Sequence, residues 1–134
     1  MTESAASEAT LERMLALFDV APLGPDRFAG ETDAGGHAGR QVVEGSQILA
    51  QAMVAAGKAL PGRVVRSAHA LFVAVAVPGE PVELGVGTVR AGRSFASAVV
   101  TPRPRSRPDR GCKPDWADRS SVPAPMRAET DEGS

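Results

Sequence analysis

At 134 residues and a formal net charge of −1, the chain has room for one domain with a modest core, and it lacks the charge excess of a general nucleic-acid or membrane binder. One cysteine, Cys112, excludes an internal disulfide framework and leaves a cysteine zinc site without ligands. The opening residues are acidic and carry no basic start or apolar stretch of a secretory leader, and no run is fit to span a bilayer, so a cytoplasmic location without membrane contact is expected.

Residues 1–7 are expected to be disordered. Residues 8–18 form an amphipathic helix pattern with Leu11, Met14, Leu15 and Phe18 on one face, and Ser7 or Thr10 is placed to cap it. Asp19 to Pro25 reads as a turn-rich connector. A short strand over 26–32 follows, anchored by Phe28. Asp33 to Gly39 is a glycine loop, but no Gly-Lys-Ser/Thr follows, so it is not a phosphate loop. His37 in that loop has no second ligand nearby and reads as a solvated histidine.

The chain is organised around residues 44–60, apolar nearly all the way round through Ile48 to Ala56. A helix without a continuous polar stripe is a buried one. Leu49, Met53, Ala56 and Leu60 are expected to supply its large contacts, the alanines allow close packing, and Pro61-Gly62 stops it. A long strand over 63–77 is predicted next, apolar on both faces and so covered on both, with His69 a hydrogen-bonded core residue. Pro78-Gly79 turns the chain. Val82, Leu84 and Val86 then alternate with Glu83 and Gly85, as in a half-buried strand. Arg90 to Arg93 reads as a tight hairpin with Gly92 at positive φ. Ser94 to Thr101 is the return strand, with Phe95 and Val99 on one face. The natural picture is one buried helix wrapped by a sheet.

From Pro102 onward there is no Leu, Ile or Phe, and Pro and Arg recur. Such a segment buries too little apolar surface to offset the entropy of ordering it, so 102–134 is expected to be disordered. Out-of-frame translation of GC-rich DNA has this composition, and the abrupt change after Val99-Val100-Thr101 is where such a frameshift would lie. Cys112 and Trp116 fall in this tail without structural context.

Residues 11–101 resemble the N-terminal half of the acyl-CoA thioesterase II type, the double-hotdog thioesterases. The resemblance is carried by Gly45-Ser-Gln-Ile-Leu-Ala-Gln-Ala-Met53, Ser67-Ala-His-Ala-Leu-Phe72, Pro81-Val-Glu-Leu-Gly-Val86 and Arg90-Ala-Gly-Arg-Ser-Phe-Ala96, in the family's order and spacing. Glu44 stands where the family usually has an apolar or aromatic residue, Ser46 replaces a second glycine, and Ala74-Val75-Ala76 replaces an Arg-Pro-Gly turn. The resemblance implies an α+β hotdog: an antiparallel sheet wrapped around one long buried helix. It stops near Thr101, one strand short of the family's first hotdog, so a fold missing its last strand is expected. It also implies hydrolysis of an acyl-CoA to free fatty acid and CoA without metal or redox cofactor. The family's catalytic residues lie on the second hotdog, so no position here inherits them. Little activity is expected of the chain alone, with self-association or a second hotdog needed to complete the fold.

The helix start is the candidate site, with Gly45, Ser46 and Gln47 as substrate-binding residues. Backbone N–H groups there are free and partly positive, and in hotdog enzymes such amides polarise the thioester carbonyl. The plainer reading is that Gly45-Ser46 lets the backbone approach the sheet closely. Glu44 is the one candidate general base; more simply, it is an acid favoured by the helix dipole. A second functional class is a non-catalytic hotdog interaction module completed by a partner chain. A third, an anion- or nucleic-acid-binding adaptor acting through the Arg/Pro tail, ranks below both.

Overall fold

The computed structural model describes residues 2–35, 39, 41–105 and 126–131. In chain order the elements are α1 (Thr2–Phe18), β1 (Ala21–Pro22), β2 (Arg27–Gly30), α2 (Gly45–Ala59), β3 (Val64–His69), β4 (Val82–Ala91), β5 (Phe95–Pro104) and β6 (Met126–Asp131). The six strands form one antiparallel sheet in the order β1-β2-β4-β5-β6-β3, with α2 packed across it. This is the α+β hotdog arrangement that the sequence predicts.

The helix–sheet contact is made by small residues. Ala52 and Ala55 of α2 are fully buried, as are Ala96 and Ala98 of β5, with Phe28, Ile48, Val82, Leu84, Val86 and Val100 around them. Alanine on both sides brings backbone close to backbone, and the larger residues fill the margins. The buried stripe of α2 includes Gln47, Ile48, Gln51, Ala52, Ala55 and Ala56, whereas Leu49 and Met53, expected to be its main contacts, are only partly covered. The helix ends as the sequence predicts. Leu60 N–H donates to Ala56 O at 2.9 Å, and Gly62 takes a φ of 80° just beyond.

Several expectations are corrected. The helix α1 begins at Thr2, so residues 2–7 are helical; no proline or glycine interrupts Thr2–Phe18, and its alanines and glutamates are good helix formers. Thr10 does not cap it, because its hydroxyl donates to Ala6 O at 2.8 Å inside the helix. The connector before Phe28 contains β1, where Ala21 and Pro22 pair with Ala29 and Phe28.

The sheet is not missing its last strand. β6 lies between β5 and β3, with Met126, Ala128 and Thr130 in register with Val100, Ala98 and Ala96. Its sequence alternates small or apolar with charged residues, and opposite alanines no large side chain is called for. The segment 102–134 is therefore not wholly disordered. Pro102–Pro104 extend β5 and 126–131 form β6; residues 106–125, with Cys112 and Trp116, lie outside the described residues.

β3 is six residues long and not fifteen, because β6 pairs it only from Val64 to His69. Beyond that, Leu71, Phe72, Val73, Val75 and Val77 are exposed, and so is His69, which is not a core histidine. Gly92 is not at positive φ. Its N–H donates to Phe95 O at 2.8 Å, and a Cβ there would lie 3.1 Å from the same oxygen, so close backbone approach is what calls for glycine. Phe95 and Val99 do share a face, but it is the one away from α2, and Phe95 is 62% exposed.

Candidate functional site

The start of α2 is set by three supports. Glu44, the residue before the helix, is extended (φ −65°, ψ 136°), exposed, and makes no side-chain cap bond. Val43 is buried, and its N–H donates to Ala76 O at 2.8 Å, tying the helix entrance to the strap that follows β3. The buried amide of Gln47 is held from the other side: its Oε1 accepts from Asp33 N–H at 3.0 Å and its Nε2 donates to Asp33 O at 3.2 Å. Asp33 is itself fixed, its carboxylate accepting from Gly35 N–H at 2.6 Å and pairing with Arg13.

These bonds separate the four candidate residues into different roles. Gly45 and Ser46 offer backbone N–H groups with no acceptor among the described residues. Gln47 does not: its N–H donates to Glu44 O at 3.0 Å and its side chain is committed to Asp33. Glu44 stands at the mouth of the site beside the glycine loop, its Cδ 4.0 Å from where a Cβ on Gly35 would be. Two free amides at the positive end of a fifteen-residue helix favour an oxygen that gains negative charge.

Sequence reasoning missed the neighbour of this helix start. The Phe72 ring meets Gly45 end-on, and a Cβ on Gly45 would lie 2.8 Å from Phe72 Cζ and 3.1 Å from both Cε atoms. Glycine is thus required at 45 by an aromatic ring, not by a sheet backbone. Glycine at the helix start and a phenylalanine three residues past His69 were the available signals, but nothing in their spacing joins them. Among the described residues no group of three or more His, Cys, Asp or Glu is placed to hold a metal ion. No described helix is long and apolar enough to cross a membrane. His37 lies outside the described residues, and His69, exposed at the end of β3, is the one histidine among the described residues.

Comparisons with known proteins agree with this architecture. The tesB protein of Mycobacterium avium subs paratuberculosis is 25% identical and superposes with a TM-score of 0.69 over 92% of this chain and 44% of its own. The acyl-CoA thioesterase II TesB2 of Mycobacterium marinum is 20% identical, with a TM-score of 0.65 over 91% of this chain and 39% of its own. The E. coli PaaI protein, from a phenylacetic acid degradation operon, is 12% identical yet matches over 98% of this chain and 99% of its own, with a TM-score of 0.59. The chain therefore spans less than half of each mycobacterial protein and about the whole of PaaI. No curated protein sequence matches it significantly. The family model for the acyl-CoA thioesterase N-terminal domain matches residues 34–108, more than half of the chain, and so this chain belongs to the acyl-CoA thioesterase N-terminal domain family.

Proposed function

We propose that the chain is one hotdog of an acyl-CoA thioesterase assembly and that its α2 start polarises the thioester carbonyl. The single observation that carries this is the pair of N–H groups on Gly45 and Ser46, without an acceptor among the described residues, at a helix N-terminus. When water attacks the carbonyl carbon, the oxygen gains negative charge, the amides stabilise it, and the C–S bond then breaks to release the acid and CoA thiol. Glu44 at the mouth of the site is the one candidate base among the described residues, and the resemblance puts the family's catalytic residues on a second hotdog, which is why little turnover is expected of the chain alone. Family membership and the likeness to TesB2 support the substrate class. A cytoplasmic location and the absence of any metal or redox cofactor belong to the same reading.

Ser46→Pro is the direct test. Proline is tolerated in the first helical turn but has no N–H, so the helix survives and one donor is lost. Thiol release from acyl-CoA is measured for the chain alone and with a second hotdog supplied, as a second copy or a separate chain. The assembled wild type should turn over, with Ser46→Pro lowering kcat by about 10²-fold or more. Equal kcat in the variant would sink the proposed role.

A second reading, a non-catalytic hotdog module completed by a partner chain, is favoured by β3 at the open edge of the sheet and by the exposed run Leu71 to Val77 beside it. It predicts a stable dimer or heterocomplex in sedimentation with no hydrolysis at any concentration. A monomer that stays monomeric with every hotdog partner counts against it.

A further inference from the structure

The tip of the β4–β5 hairpin gathers arginines that the thioester reading leaves unused. A half-open hollow of about 380 Å³ there is lined by Arg90, Gly92, Arg93, Ser94, Phe95 and Ser97. Its polar side chains are two guanidinium groups and two hydroxyls, all able to donate. Neither the Arg90 nor the Arg93 side chain makes a hydrogen bond or ion pair among the described residues. Arg63 lies close by: one guanidinium nitrogen donates to Gly92 O at 2.6 Å, while Nη1 is shut off from solvent with no acceptor. A sheltered guanidinium with no carboxylate partner among the described residues adds positive charge behind the hollow and raises the affinity of the tip for an anion. The ladder sets Glu129 opposite Ser97 and Asp131 opposite Phe95, the acids nearest by register.

The remaining side chain of the lining is aromatic. Phe95 is the only large apolar side chain in the lining, and it is 62% exposed. The planar guanidinium fork donates to two oxygens of one phosphate at once, and an exposed ring beside it is a stacking platform for a base. We propose that this hairpin tip binds a nucleotide, its phosphate held by Arg90 and Arg93 and its base laid on Phe95. Arg63 follows the C-terminal end of α2 whereas Gly45 begins it, so this is a separate contact from the thioester site. CoA carries a phosphorylated adenosine, and the choice of that nucleotide rests on the acyl-CoA reading.

The full chain is titrated calorimetrically with adenosine 3′,5′-bisphosphate, CoA, adenosine and inorganic phosphate. The bisphosphate and CoA should bind, and Arg90→Ala and Arg93→Ala should each weaken them about tenfold or more. Arg→Lys at either position should weaken them less than alanine does, because charge stays while the fork is lost. Phe95→Ala should weaken the nucleotides about fivefold or more and leave inorganic phosphate unchanged. No binding by the wild type, or CoA binding equal in wild type and the Arg90/Arg93 double variant, overturns the site. Inorganic phosphate binding as tightly as the bisphosphate, or polyadenylate binding far more tightly, overturns the nucleotide assignment. If an assembled enzyme hydrolyses acyl-CoA with KM unchanged by the double variant, this site falls and the thioesterase reading stands. If the bisphosphate binds but no assembly hydrolyses acyl-CoA, the reverse holds.

Discussion

The side-chain amide of Gln51 occupies the space that a Cβ on Gly30 would need: the distance would be 2.9 Å to Nε2 and 3.0 Å to Cδ. Gln51 is fully buried, and Nε2 donates to Leu17 O at 2.9 Å and to Glu31 O at 2.6 Å. One side chain thus ties the end of α1 and the end of β2 to α2. Gln51→Leu should cost about 2–4 kcal/mol in urea unfolding, since two carbonyls lose their donor. Gly30→Ala should also destabilise, and by less in a Gln51→Ala background, where the space has been vacated. Strictly additive effects in that double-mutant cycle would refute the contact.

Gly45 and Phe72 form a second such pair at the helix start. Alanine is the better helix former by about 1 kcal/mol, so the backbone alone favours Gly45→Ala. The ring reverses that sign: Gly45→Ala should lower stability in the wild type and raise it in Phe72→Ala. Thermal melts of the four proteins read the coupling. A stabilising Gly45→Ala in the wild type would mean the ring lies elsewhere.

Thr32 is buried between β2 and the strap, its Oγ1 2.7 Å from Glu80 O and 3.1 Å from Val77 O, while Gly79 N–H donates to Thr32 O at 3.2 Å. Thr32→Val keeps the shape and removes the hydroxyl. A loss of about 1–2 kcal/mol is expected, with faster amide exchange confined to residues around 77–80. Unchanged exchange there would show that the hydroxyl does not hold the strap.

Ala128 sits in the middle of β6, in register with Ala98 on one side and Ala68 on the other. Proline at 128 removes a ladder donor between two strands, which interior strands do not tolerate. Ala128→Pro should abolish the cooperative unfolding transition seen by circular dichroism, whereas Ala128→Ser should retain it. A cooperative Ala128→Pro protein would place β6 outside the sheet.

Much of this fold is legible in local pattern. The period of Val82, Leu84 and Val86, the alanine-rich helix stopped by Pro61-Gly62, and the buried Phe28 all follow from spacing and chain stereochemistry. What was illegible depends on distant partners. The apolar run after His69 reads as strand, but a strand needs a neighbour, and β6 ends its pairing there. β6 itself looks too polar for an interior strand until the alanines opposite it are known. At the site, Gly45 and Ser46 are visible as a helix start, whereas the commitment of Gln47 to Asp33 and the ring of Phe72 against Gly45 are tertiary facts.

The place of β6 also sets an order of assembly. β6, the latest of the described strands in chain order, is an interior one, inserted between β5 and β3, so the sheet over α2 closes only once β6 has been made. During synthesis β3 and β5 stand with open edges beside an apolar helix, the state most exposed to wrong partners. Closing the sheet must pair residues nearly seventy positions apart, Val64 with Asp131, which is slow by nature. Productive expression should therefore depend on chaperone capacity more than the modest size of the chain implies.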